Sequence, residues 1–353
     1  MATTAVDSIT LALAHTRQQL FKPFRIGQWT KLAFVGLLAG ELGSRGLSRS
    51  NFQFPHHPGA PHPSWPASLT ADHLLLAILI AALVVAALAV GIILMYIGSV
   101  MRFVLFDSIV NRECHIRWEW NRRLLPGWRY FVWKLLYAIF STVGIGVVVG
   151  IPVAYACAKG WCRAPSEHLL PLISGGAFLF LILLIFFVIT ALVLVLTKDF
   201  VVPQMALENV SVMEGWRRLW PMMKAESGAY VAYIAMKIVL AIVAAILIGV
   251  AGAILALIFV LPTAGLSILA IFTGKAAGLT WNAHTIALAI GIGCILLAAF
   301  LYLVSLVYVP AIVFFPAYSI HFFAARYPAL AAALYPAGAA PAATLRTPQL
   351  AHR

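Results

Sequence analysis

Charged residues are scarce in this chain: they make up 10% of its 353 residues, against 63% hydrophobic residues. A soluble protein of this size needs roughly a quarter of its residues charged to cover its surface. Each of five long runs has no charged residue and exceeds the roughly 20 residues that cross a hydrocarbon core as a helix; the runs are 74–101, 135–158, 169–197, 238–261 and 285–309. Barrel strands are about 10 residues long and alternate apolar with polar residues. The sequence therefore predicts an all-α polytopic membrane bundle of about six transmembrane helices.

The sixth crossing is the weakest. Residues 32–47 are interrupted by Glu41 and Arg45, which stand four apart and could pair on a helix. Sixteen helical residues reach only about 24 Å, short of a core of roughly 30 Å. A short span and a re-entrant helix are both open.

The same absences bear on function. The five runs contain no Asp, Glu, Lys, Arg or His, although such groups mark the pathways of ion-coupled transporters. The chain also lacks HExxH, GxSxG and Walker A motifs. We predict neither an enzyme nor a cofactor. Breaks at Pro152, Pro171, Gly249 and Gly252 leave a backbone-lined path for a neutral solute open.

The cysteines and histidines give little indication of a functional site. Cys157 and Cys162 bracket a short loop and form either a disulfide or two free thiols. His56, His57 and His62 stand in a proline-rich loop without a fixed framework for a metal. No metal site is predicted.

Basic residues outnumber acidic ones, and the net charge is +13. With six crossings and the N-terminus inside, 19 Lys and Arg lie inside and 5 outside, as is typical of cytoplasmic loops. This predicts an inner-membrane protein with both termini in the cytoplasm. Such basicity attracts anionic headgroups, and no stretch indicates a nucleic-acid site.

One phrase occurs twice, as Trp120-Asn121-Arg122-Arg123 and Trp216-Arg217-Arg218, about 96 residues apart with two runs between. An even number of crossings returns the chain to the same face, which predicts parallel repeats. The repeat units are about 1–101, 102–197 and 198–310. They form a single membrane domain, 1–327, before a disordered Ala/Pro-rich tail, 328–353.

Each repeat is predicted to carry an amphipathic helix on the inner face. Ser211 and Glu214 have the spacing of a capping box, and Trp216 and Leu219 belong to an apolar stripe expected to lie in the acyl boundary. An N-terminal stripe is formed by Val6, Ile9, Leu13 and Leu20. The candidate contacts to headgroups or to a partner are Trp120, Arg122, Arg123, Trp216, Arg217 and Arg218. Plain anchoring by positive charge is the alternative.

Residues 199–208 (DFVVPQMALE) and 212–219 (VMEGWRRL) resemble segments of the polytopic bacterial proteins grouped around the glycerophosphoryl diester phosphodiesterase membrane domain. The resemblance extends loosely over about residues 15–325 and implies a multi-pass helical fold. In members that are phosphodiesterases, catalysis belongs to a separate soluble barrel. A barrel needs about 250 further residues, so the resemblance does not imply enzyme activity here.

These observations predict a non-enzymatic membrane protein that binds or organises lipid, or a membrane partner, through its basic inner-face helices. The alternative is a permease or channel-like component for a neutral or lipidic solute.

Overall fold

The computed structural model describes residues 4–41, 71–161, 168–276 and 282–335, and within these ranges it is all-α, as predicted. The helices are α1 (Asp7–Phe21), α2 (Ile26–Leu38), α3 (Ala71–Val110), α4 (Ile116–Arg122), α5 (Leu124–Ala158), α6 (Leu169–Leu196), α7 (Val202–Glu208), α8 (Val212–Ala225), α9 (Ser227–Ala276), α10 (Ala283–Ala324) and α11 (Pro328–Leu334). A π-helical turn, Thr197–Val201, joins α6 to α7.

Five helical segments are long and apolar enough to cross a membrane: Leu74–Val110, Leu124–Ala158, Leu169–Glu208, Ser227–Gly274 and His284–Ala324. They contain the five uncharged runs, so the expectation of a multi-pass membrane protein is confirmed. The weaker segment at 32–47 is not among the spans found in the described residues. Helix α2 ends at Leu38 after 13 residues, and residues 42–47 lie outside the described part of the chain.

The buried core lies at one end of the long helices. We call this end the head; it consists of the short helices and the adjoining ends of the five long ones. Its centre is aromatic, with Phe103, Phe200, Tyr233, Phe322 and Phe323 almost fully buried. The rest of the long helices, the arms, expose aliphatic and aromatic side chains along most of their length. Exposed apolar surface on this scale fits a lipid environment.

Both described ends of the chain lie in the head. Helix α1 packs against the end of α10, where His15 Nδ1 lies 3.3 Å from His321 Nε2. Glu41 is also in the head, because it contacts Arg102. Helix α3 begins 31 residues before Arg102, which is roughly 46 Å of helix. Glu41 therefore lies beside the head-side end of α3, and the first residue of α3 lies at the opposite end of that helix.

Helix α2 packs between α3 and α10 and comes very close to each of them. A Cβ added to Gly36 would lie 2.5 Å from Ile312 Cγ2, and a Cβ added to Gly98 would lie 2.6 Å from the Leu38 carbonyl oxygen. Small residues at such positions let helix backbones come close together. This packing holds Glu41 against the head-side end of α3.

The predicted apolar stripe of α1 is divided between the head and the outside. Leu20 is buried and Ile9 packs against the core, whereas Val6 and Leu13 are more than half exposed. Helix α1 also buries His15 and Gln19, which make hydrogen bonds across the contact with the head. Contact of the exposed residues with lipid stays a prediction.

Two further local expectations have clear outcomes. Ser211 is the N-cap of α8, and its side chain accepts a hydrogen bond from Glu214 N at 3.3 Å, which is one half of the predicted capping box. The Glu214 carboxylate instead accepts from Arg217 and Arg218. The chain after Pro328 was expected to be disordered, but residues 328–334 form α11, with Leu330 fully buried. Proline is well suited to the first turn of a helix, and the alanines that follow are strong helix formers.

The two segments that carry the repeated phrase share an element order. In each, a long helix leads into a residue of left-handed conformation, then a short helix, then another long helix. The left-handed residues are Arg112 (φ 59°) and Asn209 (φ 56°). Their spacing is about the interval between the two phrases, and the parallel repeat itself stays a prediction.

Candidate functional site

Four of the uncharged runs end, on the head side, at a cation. Arg102 follows the first run, Lys134 precedes the second, Lys198 follows the third and Lys237 precedes the fourth. We call these four residues, with Glu41 and Asp199, the boundary layer. Charged groups inside the membrane are costly, whereas Lys and Arg near helix ends reach the interface with their long side chains. Their pairing therefore decides what the layer does.

Glu41 joins two long helices. Its carboxylate accepts from Arg102 Nη1 and, at 2.5 Å, from Lys198 Nζ. Arg102 Nη2 also donates to the Ala39 carbonyl oxygen at 2.9 Å. The Glu41 side chain is only 5% exposed, so both cations are held by a single buried carboxylate. The local Glu41–Arg45 pairing considered from the sequence is not needed to explain this residue.

Asp199 anchors a second helix pair. The π-helical turn directs Thr197, Asp199 and Phe200 inward, and π turns of this kind often occur at functional sites. The Asp199 carboxylate accepts from Lys237 Nζ and from the Tyr233 hydroxyl at 3.0 Å. Through Asp199, the start of α9 is tied to the end of α6.

The boundary layer carries excess positive charge. Four cations face two carboxylates, which leaves two positive charges over. The described residues give Lys134 no ion-pair or hydrogen-bond partner, and it lies within electrostatic range of Arg102. Lys198 keeps 24% of its side chain exposed. An unpaired cation in a half-buried setting favours an anionic ligand, since desolvation without a partner is costly.

A further ion pair lies deeper in the head. Arg123 Nε and Nη2 donate to both oxygens of Asp107, at 2.5 and 2.7 Å. Arg123 Nη1 donates to the Ala206 carbonyl oxygen at 2.5 Å. Bidentate pairs of this geometry are the strong ones. The guanidinium thus joins α3 to α7.

A buried carboxyl group stands beside this pair. Glu119 is 1% exposed and accepts a hydrogen bond from the Ser108 hydroxyl at 3.2 Å. Burial, with a smaller contribution from the Asp107 carboxylate, raises the pKa of Glu119 to about 7. The charge of Glu119 therefore changes near neutral pH.

The structure separates the six candidate contact residues. Arg122 and Arg217 are exposed; Arg122 lies 5.3 Å from the centre of the Trp118 ring, and Arg217 pairs with Glu214. Arg218 pairs with Glu208 and Glu214. Arg123 is buried as described above, so it is not available to a headgroup in this structure.

The two tryptophans pack on protein. Trp216 is half-buried and its Nε1 donates to Thr197 Oγ1 at 3.0 Å, while Trp120 packs against the core. Leu219, expected in the acyl boundary, is fully buried in the head. The apolar side chains that α8 exposes are instead Met213 and Trp220.

The cysteine prediction stays untested. Cys157 is exposed near the end of α5, and Cys162 lies outside the described residues, as do His56, His57 and His62. Within the described ranges, no group of three His, Cys, Asp or Glu side chains is placed to hold a metal.

Two apolar crevices run beside the arms. One, of about 410 Å³, lies between α1, α9 and α10 and is lined by residues such as Leu240, Leu247 and Phe314. The other, of about 620 Å³, lies at the far end of α5 and α6 beside Ile151 and Leu179. By contrast, a cavity between Arg102, Lys198, Asp199 and Ser319 is only about 20 Å³, room for roughly one water.

Comparison with known proteins gives a family but no activity. The chain belongs to a family of unknown function (DUF7544), which matches residues 3–333. No curated protein and no solved structure matches the chain. The resemblance to glycerophosphoryl diester phosphodiesterase membrane domains therefore stays a prediction.

Proposed function

We propose that this multi-pass membrane protein is non-enzymatic and binds anionic phospholipid, with the phosphate at the boundary layer and the acyl chains along the arms. The carrying observation is the excess of cations there, above all Lys134, which has no partner among the described residues. The uncharged runs end at this level, so a lipid phosphate would meet the protein here. Trp133 and Tyr137 stack beside Lys134 with ring centres 5.2 Å apart, and such rings favour the membrane interface.

The head is proposed to face the cytoplasm, which puts both termini there. Supporting this, the described Lys and Arg residues gather at the head, apart from Lys159 after the far end of α5 and Lys275 at the far end of α9. Exposed cations such as Arg122 and Arg217 would add about 1 kcal/mol each to attraction toward an anionic leaflet. They contribute without any specific contact.

The crevices favour lipid over a polar solute. Both crevices beside the arms are lined almost entirely by apolar side chains, which suits acyl chains. The enclosed polar space between Arg102, Lys198 and Asp199 holds only about one water, so a headgroup phosphate would lie outside it, at the half-buried Lys134. A permease for a neutral polar solute has less support in the described residues, while a lipidic solute would use the same crevices.

The test is a lipid inventory of the protein extracted under gentle conditions. Wild type should retain anionic phospholipid in excess over its share of the membrane, and Lys134→Gln should retain less. Lys31→Gln is the matched control, because Lys31 is an exposed lysine of the head outside the boundary layer. Equal retention by wild type and Lys134→Gln would contradict the proposal.

A further inference from the structure

A polar cavity of about 450 Å³ opens on the head, away from the arms. It lies where the end of α1, the turn at Pro23 and the start of α2 meet the residues that follow α3. Its lining includes Gln19, Lys22, Arg25, Gln28, Arg112 and Glu113. This volume is within the range of pockets for small molecules.

The cavity is positively charged. Lys22, Arg25 and Arg112 face one carboxylate, that of Glu113, and the described residues give none of the three cations an ion-pair partner. Glu113 itself lies 3.9 Å from the His115 ring. Two positive charges are thus in excess, which favours an anionic ligand.

Two glutamine amides border the cavity. Gln19 is 4% exposed, and its Nε2 donates to the Ser108 carbonyl oxygen at 2.8 Å. Its Oε1 is fully buried, so Gln19 supports the wall and does not reach a ligand. Gln28 is half-buried, and its Nε2 donates to the Arg112 carbonyl oxygen at 2.8 Å. Because that nitrogen is engaged with the wall, the Gln28 oxygen is the part of the amide left for a ligand, which must supply a donor such as a hydroxyl group.

The depth of the cavity argues for a soluble ligand. Arg112 follows Arg102 by ten residues, roughly 15 Å along the helix axis from the boundary layer. A phospholipid whose phosphate lies at that layer does not reach so far. We propose that this cavity binds a small phosphorylated compound that carries hydroxyl groups, of the sugar-phosphate or nucleotide kind. This site is separate from the proposed lipid site.

The experiment is calorimetric titration of the full-length protein in a neutral detergent with glucose 6-phosphate, adenosine monophosphate, inorganic phosphate and glucose. At least one phosphorylated probe with hydroxyl groups should bind saturably and more tightly than inorganic phosphate, while glucose should not bind. The double variant Lys22→Ala/Arg25→Ala should weaken that binding at least tenfold. Both side chains are exposed, so the variant should fold as wild type does.

The matched control is Arg17→Ala, which removes an exposed cation of α1 that does not line the cavity. It should bind the probe as wild type does. Absence of saturable binding by every phosphorylated probe would overturn the proposal, as would binding that the double variant leaves unchanged. A parallel titration with short-chain phosphatidylglycerol in the same detergent separates the two sites: the double variant should bind this lipid as wild type does, and a loss confined to the lipid would assign these residues to lipid instead.

Discussion

The adjacent residues Arg122 and Arg123 should respond very differently to replacement by alanine. Arg123→Ala leaves the Asp107 carboxylate, 7% exposed, without its bidentate partner and the Ala206 carbonyl oxygen without its donor. Removing one partner of a buried ion pair typically costs about 3–5 kcal/mol, because the other charge stays buried and unpaired. Glu119 lies close to Asp107, so Arg123→Ala also removes the cation that stands beside these two carboxyl groups.

Arg122→Ala removes only an exposed side chain that stacks near Trp118. The expected cost is about 0.5–1 kcal/mol. The assay is reversible unfolding by denaturant in mixed micelles, with far-ultraviolet circular dichroism as the readout. Double replacement of Asp107 and Arg123 by Leu and Met should cost less than Arg123→Ala alone, since no charge is left unpaired. Equal free energies of unfolding for the two single variants would refute the assignment of Arg123 to the interior.

Three other expectations follow from single sites. Gly98→Ala should destabilise the protein by about 1–3 kcal/mol, because its Cβ would lie 2.6 Å from the Leu38 carbonyl oxygen. A Cβ at Gly91, on the same helix, meets nothing within 4 Å, so Gly91→Ala should be neutral. Thermal unfolding compares the two variants. The pKa of Glu119 is raised in the folded state, so its contribution to the free energy of unfolding is fully present below about pH 4.5 and is lost as pH rises through about 7. Glu119→Gln should therefore stabilise the protein more at alkaline than at acidic pH. A stabilisation of the same size at both pH values would contradict this. In a cysteine-free background, an impermeant thiol reagent added to intact cells should label a cysteine at position 159 but not at 122 or 217, and the reverse pattern would place the head outside.

The membrane part of the fold is readable from the sequence, because crossing a bilayer depends on the local run of apolar residues. The pairing within the head is not. Glu41 and Lys198 are 157 positions apart and His15 and His321 are 306 apart, so only the tertiary structure brings them together. The same limit applies to the Arg122-Arg123 phrase, since Arg122 ends α4 and Arg123 stands at the turn before α5. Which of the two is buried depends on how α4 meets α3.

The boundary layer left a signal that sequence reasoning did not use. Arg102, Lys134, Lys198 and Lys237 each adjoin the head-side end of an uncharged run. This pattern is also what positive-inside anchoring produces, so the sequence alone does not separate an anchor from a site. The ion pairs in the structure separate the two: Lys237 is neutralised by Asp199, and Lys134 lacks a partner among the described residues.

The most direct test of the lipid proposal is native mass spectrometry of the delipidated protein titrated with phosphatidylglycerol or with phosphatidylcholine of the same chains. The first phosphatidylglycerol should bind about tenfold or more tightly than phosphatidylcholine, a difference of about 1.4 kcal/mol or more. Both lipids carry the phosphate, but the choline cation of phosphatidylcholine is repelled by the excess positive charge of the boundary layer. Lys134→Gln should remove most of that preference and Lys31→Gln none of it. Equal affinity of the wild-type protein for the two lipids would contradict an anionic headgroup site at the boundary layer.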